Sequence, residues 1–173
     1  MRDQVEGRSG SKSWLFVTAI GVILVAISTA QIVPKRLVWN ASPSIPIGFY
    51  WVTYSLPKRG DIVLVELPEP YRIIADQRGY LPKNLPALKR VRALSGDEVC
   101  RIGRKIWING ATVSVAQLHD FHGLKLLEWS GCRTLKPDEV FLLTDHPKSF
   151  DGRYFGPVDR SAIIGIAHPV WTD

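Results

Sequence analysis

A run of 20 residues without a single charge, from Trp14 to Val33, constrains this chain more than any other feature. As an α-helix it would be roughly 30 Å long, the thickness of the hydrocarbon core of a bilayer. That helix has no polar face of the kind that a surface helix of a soluble protein presents to water. We therefore expect three parts: a basic N-terminal segment (1–13), a transmembrane or signal segment (14–33) and an exported domain (37–173).

Two interpretations of segment 14–33 stay open. It can be an uncleaved anchor with the N-terminus in the cytoplasm. It can also be a cleaved signal peptide, since Ser28, Thr29 and Ala30 are small residues of the kind that a signal peptidase reads. Charge says little about orientation, because basic residues flank the segment on both sides: Arg2, Arg8 and Lys12 precede it, and Lys35 and Arg36 follow it. Both interpretations place the domain beside a membrane, on its far side.

Composition excludes several classes of protein. Hydrophobic residues make up 46% and charged residues 22%, which is a globular balance. The net charge of +6 comes from interleaved acids and bases, so we expect no nucleic-acid binding, which needs a concentrated basic patch. Cys100 and Cys132 are too few for a disulfide scaffold or a four-cysteine zinc module, and a single disulfide or two buried thiols both fit. His119, Asp120 and His122 lack a fourth ligand and are expected to face solvent, so we predict no metal.

The exported domain is predicted to be mainly β. Short runs rich in β-branched and aromatic residues recur between turn residues, and Asn109-Gly110 is a strong hairpin signal. One helical patch, residues 70–80, lies among prolines and is expected to be a small insertion on the surface of the sheet. The predicted strands are 49–54, 61–67, 88–94, 98–102, 105–108, 112–115, 140–144 and 163–166.

A stiff turn around Ser44 is the first candidate for chemistry. Pro43, Pro46 and Gly48 surround this serine and discourage both a helix and a central strand. A hydroxyl on such a turn is held at a fixed angle, as a nucleophile needs to be. A plain linker between a membrane helix and a domain would have a similar composition, so the turn alone does not decide between the two.

Lys89, in a predicted strand with apolar neighbours, is the second candidate. Adjacent residues of a strand face opposite sides, so Lys89 and Arg90 cannot both point to water on a half-buried sheet. An inward lysine next to Leu88 and Val91 would lose hydration, which lowers its pKa and allows it to act as a base. The alternative is a solvent-facing lysine beside Arg90 and Arg92.

The third candidate is a polar loop closed by aromatic residues, 144–158, in which Asp151 and Arg153 form an ion pair that shapes a turn. In this order and at these spacings, the three segments resemble the signal peptidase superfamily of Ser-Lys serine peptidases. Within it, the chain is most similar to the TraF-type maturation peptidases of conjugative plasmid transfer. The resemblance covers nearly the whole chain and rests on the membrane segment, Ser44-Ile45-Pro46-Ile47-Gly48-Phe49-Tyr50, Lys89-Arg90-Val91 with the Gly96-Asp97 turn, and Ser149-Phe150-Asp151-Gly152-Arg153-Tyr154-Phe155-Gly156-Pro157.

This resemblance implies a compact, signal-peptidase-like β domain and a role for each matching residue. Ser44 matches the nucleophile, Lys89 matches the general base, and Asp151 matches an aspartate that is tied to activity in the TraF branch. Ser42 matches a hydroxyl that assists the oxyanion hole. Ser149 matches a serine that orients the lysine, and Arg153 matches the partner of the aspartate. The chain departs from general signal peptidases, which have Ser-Met-x-Pro at the nucleophile and Gly-Asp-Asn before the last segment. Together with the insertion at Arg78-Gly79-Tyr80, the departures Ser44-Ile45-Pro46 and Thr144-Asp145-His146 favour the TraF branch.

The predicted function is therefore a serine endopeptidase with a Ser-Lys dyad and no cofactor. We expect it on the periplasmic side of the bacterial inner membrane, where it would process a pilin precursor beside other conjugative transfer proteins. In the TraF family the acyl-enzyme can be resolved by the pilin's own N-terminus, which gives a cyclic product. Two alternatives are a general signal peptidase and a catalytically silent assembly protein that uses the same fold as a binding module.

Overall fold

The structure, a computed structural model, describes residues 10–29 and 36–173 in two units that divide after Lys35. The first unit contains one helix, α1 (Gly10–Thr29). Residues 1–9 of the predicted basic segment and 30–33 of the predicted membrane segment lie outside the described residues. No helix in the described part of the chain is long and apolar enough to cross a membrane. The role of segment 14–33 stays a prediction.

The second unit is mainly β, as predicted. Its strands are β1 (Leu37–Asn40), β2 (Gly48–Thr53), β3 (Ile62–Val65), β4 (Ala87–Ala93), β5 (Glu98–Ile102), β6 (Lys105–Ile108), β7 (Ala111–Val115), β8 (Gly131–Thr134), β9 (Glu139–Leu142), β10 (Val158–Asp159) and β11 (Ile163–Thr172). Two short helices, α2 (Tyr71–Gln77) and α3 (Gly152–Phe155), and a 3-10 turn, Arg160–Ala162, complete it. The insertion predicted at 70–80 is α2, which ends at Gln77.

The strands form two antiparallel sheets. The larger has the order β1-β2-β11-β3-β4-β9-β10, and the smaller has the order β7-β6-β5-β8. The predicted hairpin at Asn109-Gly110 joins β6 to β7, with φ of 48° and 79° at its two central residues. Positive φ at both positions is what a two-residue hairpin turn with the twist of the flanking strands requires.

Several elements were missed by the sequence pattern, each for a physical reason. β10 is only two residues long, too short to show an alternation, and the one buried residue of β1 is the polar Asn40, so no apolar face reveals that strand. β8 is exposed at all of its residues, so it has no apolar face to reveal it. β11 continues to Thr172 across Pro169, where a register shift against β2 accommodates a residue that cannot donate a ladder hydrogen bond.

A disulfide joins Cys100 of β5 to Cys132 of β8, which are register partners in the smaller sheet. The structure therefore selects the bonded alternative for the two cysteines. With a sequence separation of 32 between the two cysteines, the chain-entropy model gives a stabilisation of about 3–4 kcal/mol. It fixes β8, which has few buried side chains of its own.

Packing of the larger sheet brings two distant loops together. Ile45, next to Ser44, and Leu88, next to Lys89, belong to the same buried cluster, which also contains Tyr50 and Val52 of β2. Burial of these apolar side chains holds the turn between β1 and β2 against the start of β4. That contact determines where the candidate site forms.

Candidate active site

One cavity of about 490 Å³ gathers the serines and the lysine that the sequence singled out. Its lining includes Ser42, Ser44, Lys89 and Ser149. They come from three separate places: the β1–β2 turn, strand β4 and the loop that follows β9. Asp151 and Arg153 are absent from the lining, and lie behind Ser149.

Ser44 is a half-buried residue at the wall of this cavity. Its Oγ lies 2.9 Å from the Oγ of Ser42, and the Ser44 N–H is directed at the same Ser42 oxygen at 3.4 Å. The hydroxyl and main-chain N–H of Ser44 therefore converge with the Ser42 hydroxyl on one side of the turn.

The amine of Lys89 is buried, with only 5% of the residue exposed. It points inward, as the strand pattern allowed, while Arg90 stays half-buried. Its Nζ donates a hydrogen bond of 2.9 Å to Ser149 Oγ. Desolvation lowers the pKa of Lys89 to about 8, with the charge of Asp151 opposing and that of Arg153 reinforcing the shift. At pH 7 roughly one amine in ten is neutral, against about one in 2,500 for a free lysine.

Ser44 and Lys89 share the cavity without bonding each other. In the part of the chain that the structure describes, Ser44 Oγ bonds to Ser42 and Lys89 Nζ bonds to Ser149. For proton transfer, Ser44 Oγ has to come within hydrogen-bond reach of the Lys89 amine. Catalytic hydrogen bonds are often long or incomplete before substrate binds.

Asp151 and Arg153 form a buried ion pair that fixes the loop carrying Ser149. Arg153 Nη1 lies 2.6 Å from Asp151 Oδ2, and the two side chains are 2% and 0% exposed. Thr144 donates to the same carboxylate through its N–H and its hydroxyl, and its carbonyl accepts from Arg153 Nη2 at 2.7 Å. Burial raises the pKa of Asp151, against the opposing effects of Arg153 and Lys89. The Asp151 carboxylate therefore affects Lys89 in two ways. Its charge raises the pKa of the amine, and its ion pair positions the loop whose Ser149 accepts the hydrogen bond of that amine.

Replacing Asp151 by asparagine is expected to lower the free energy of unfolding by about 3–5 kcal/mol, because it leaves the buried guanidinium of Arg153 without its counter-charge. Urea unfolding at pH 7 measures this. The matched control is Asp145→Asn, which removes an ion pair to Arg92 whose carboxylate is 72% exposed and should change stability by less than about 1 kcal/mol. Wild-type stability in Asp151→Asn, together with a lost rate, would instead assign the carboxylate to the chemistry.

The far wall of the cavity was not foreseen from the sequence. Asp120, expected to face solvent, has a side chain only 3% exposed, and that expectation is wrong for this residue. Its carboxylate accepts hydrogen bonds from Tyr80 Oη and from Arg78 Nη1, the latter at 3.3 Å. These bonds join the segment after α2 to the loop after β7. The apolar part of the cavity that this wall closes is lined by Leu67, Ala75, Leu81, Leu126, Phe150 and Tyr154.

Comparison with known protein families assigns the chain to a class. A model of the family "Signal peptidase, peptidase S26" matches residues 11–172, and the chain belongs to this family. The resemblance inferred from the motifs is confirmed.

Within that family, the relatives include proteins of plasmid transfer. The chain is 37% identical over 164 residues to the plasmid transfer protein TraF of Escherichia coli, over 88% of this chain and 91% of that protein. It is 33% identical over 174 residues to the conjugal transfer protein TraF of Agrobacterium tumefaciens (strain 15955), over 93% and 96% of the two chains. The chain is thus similar to TraF proteins over most of its length.

A solved signal peptidase I from Enterococcus faecalis V583 covers 66% of this chain and 98% of its own, at 22% identity and a TM-score of 0.38. That likeness is too low to support an argument about function.

Proposed function

We propose that this protein is a serine endopeptidase that processes an exported pilin precursor in conjugative transfer, with Ser44 as nucleophile and Lys89 as general base. The observation that carries the proposal is a buried lysine with a pKa lowered to about 8 on the same cavity as a half-buried serine. A solvated lysine would be protonated at neutral pH and could not accept the proton of a serine.

The chemistry follows from the positions of these groups. Neutral Lys89 takes the proton of Ser44 Oγ as that oxygen attacks the scissile carbonyl. The Ser44 N–H and the Ser42 hydroxyl donate to the oxyanion that forms, and a typical donor of this kind contributes about 2.7–4 kcal/mol. The Lys89 ammonium then returns the proton to the leaving amine as the carbon–nitrogen bond breaks. An acyl-enzyme remains on Ser44, held as an ester.

Resolution of that ester determines the product. Attack by water, with Lys89 again taking the proton, releases a linear chain and restores Ser44. Attack by the precursor's own N-terminal amine releases a chain closed by a new peptide bond. We propose the second route for a precursor whose ends meet at the cavity, because the relatives of this chain include TraF proteins of plasmid and conjugal transfer.

An aromatic face beside the cavity supports a position at a membrane surface. Trp39, Phe49, Trp51 and Trp171 are all at least 39% exposed on strands β1, β2 and β11. Trp39 packs against Phe49 and Trp171, with ring centroids 4.7 and 6.4 Å away, and also lines the cavity. Tryptophan favours the interface between lipid and water. A precursor held by its own membrane segment would present its cleavage site close to the same interface between lipid and water.

The test is incubation of the full-length purified protein, in detergent, with a candidate pilin precursor, followed by intact mass measurement. We expect the loss of a terminal peptide from the precursor, and a further loss of one water if the product is cyclic. Ser55→Ala is the matched control for Ser44→Ala, since Ser55 is an exposed serine outside the cavity. An intact precursor, with cleavage of a general secretory precursor instead, would overturn the proposed substrate.

A further inference from the structure

Asn40, the last residue of β1, makes an unusual number of contacts with the turn that carries Ser44. It is 8% exposed. Its Nδ2 lies 2.8 Å from the carbonyl oxygens of Ser42 and Ile45 and 3.0 Å from that of Pro46, while its Oδ1 accepts from the Ser42 N–H at 3.2 Å. One side-chain amide therefore contacts four main-chain groups on both sides of Ser44.

An amide is the side-chain group that this arrangement needs. Three carbonyl oxygens converge on one point, and the two N–H groups of Asn40 can satisfy them only if one is shared. The amide oxygen of Asn40, Oδ1, accepts a hydrogen bond from the Ser42 N–H. A carboxylate at this place would set a negative charge against three carbonyl oxygens, and an aliphatic side chain would leave them unpaired.

The end of the turn is held by other groups. Tyr50 Oη donates to the Pro46 carbonyl at 2.8 Å, and the Asp173 N–H donates to the Ile47 carbonyl at 3.0 Å. A Cβ on Gly48, where φ is 150°, would lie 2.0 Å from the Trp171 carbonyl oxygen, so the chain leaves the turn tightly against β11. Among the described residues, the hydrogen bonds that reach segment 41–45 from outside it come from Asn40.

We propose that Asn40 is a positioning residue for Ser44, fixing the path of the main chain so that the hydroxyl and N–H of Ser44 face the cavity. This inference rests on the proposed role of Ser44. Loss of the amide lets the turn relax while Lys89 and the cavity walls stay in place. The effect therefore falls on kcat, and a displacement of about 1 Å between reacting groups costs about 10²-fold. KM is expected to stay within about threefold.

The decisive variant is Asn40→Asp, which keeps the shape of the side chain and its acceptor but loses the donors. Asn40→Ser, smaller and able to donate one hydrogen bond, is the second variant and should lose less activity. The matched control is Asn109→Gly. Asn109 also bonds through its side chain, to Asp97 and Glu98, but far along the chain and outside the cavity lining, and glycine tolerates its positive φ.

Two readouts separate this proposal from the proposed substrate. The first is kcat and KM on a precursor peptide, measured well below each melting temperature. The second is acetylation of Ser44 by p-nitrophenyl acetate, located by mass, which needs no precursor. We expect both rates about 10²-fold lower in Asn40→Asp, intermediate in Asn40→Ser and unchanged in Asn109→Gly.

Wild-type acetylation of Ser44 in either folded Asn40 variant would overturn the role of Asn40. The role of Asn40 would also be overturned if Asn109→Gly lost as much rate as the Asn40 variants at an equal loss of melting temperature. The fall in rate would then come from general destabilisation. An unmodified Ser44 in the wild-type protein would instead overturn the proposed dyad, on which this inference rests. If Asn40→Asp does not fold, Asn40→Ser decides by the same criterion.

Discussion

Processing of the precursor is expected to be abolished when Ser44 is replaced by alanine, because no oxygen is then present to form the acyl-enzyme. Lys89→Ala should lose the contribution of a general base, about 10²–10⁴-fold. Lys89→Arg should be as inactive as Lys89→Ala, since a guanidinium keeps its proton at any pH where the protein is folded. The double variant should be no worse than Ser44→Ala alone, because the two side chains act as a unit. Intact mass of the precursor over time measures all four.

Lys148→Ala provides the control for the lysine variants. Lys148 lines the same cavity but is exposed, so its loss removes a positive charge near the substrate without removing the proposed base. We expect its rate to stay within about twofold of wild type. Substantial processing by Ser44→Ala would refute the mechanism, and a large loss in Lys148→Ala would mean that charge at the cavity, and not the buried base, carries the lysine effect.

Local patterns in the sequence predicted the parts of the fold that depend on local chemistry. Alternation of apolar residues and the turn at Asn109-Gly110 located most of the strands. Burial of one face of a sheet leaves a periodic pattern of apolar residues in the sequence. A tight hairpin needs positive φ at two residues, which leaves a characteristic dipeptide. The same alternation requires Lys89 and Arg90 to face opposite sides. The structure buries Lys89, with the lowered pKa that desolvation predicts.

Contacts between distant segments had no such signal. The bond between Tyr80 and Asp120, which closes the far wall of the cavity, joins residues 40 positions apart. Asp120 in a polar loop has the pattern of a solvated carboxylate, and only the folded chain shows that its side chain is enclosed. Asn40 likewise has the pattern of an ordinary turn residue, since its three carbonyl partners are main-chain groups that any sequence possesses.

The interpretation of Asp151 also changes once its partners are known. The motif suggested a role in activity, and the side chain is enclosed by Arg153 and by two donors of Thr144. Arg153 bonds at the same time to Ser114 of β7 at 2.7 Å, which links the loop to the smaller sheet. The ion pair therefore holds Ser149, and Ser149 holds the amine of Lys89. A residue can be tied to activity in this way without touching the substrate.

The rate of processing is expected to rise about tenfold per pH unit up to a midpoint near pH 8 and then to level off. Lys89 must be neutral to act as the base, and burial lowers its pKa to about 8. Between pH 6 and pH 8 the predicted gain in kcat/KM is therefore about 50-fold. The measurement is a pH profile of kcat/KM on a precursor peptide in detergent. A midpoint near pH 10, as for a solvated lysine, would exclude Lys89 as a buried base.

Stability gives a second measure of the same pKa without any substrate. Because the folded pKa of Lys89 lies below the value of 10.5 for the unfolded chain, the folded state binds fewer protons between about pH 8 and pH 10.5. The free energy of unfolding therefore rises with pH across that window and is lowest, on this account, below pH 8. At pH 7 the buried charge costs about 3 kcal/mol, so the inactive variant Lys89→Met should be more stable than wild type by about that amount in urea unfolding. Lys148→Met, at an exposed position, should leave stability nearly unchanged, and equal stability of Lys89→Met and wild type would show that the amine is solvated.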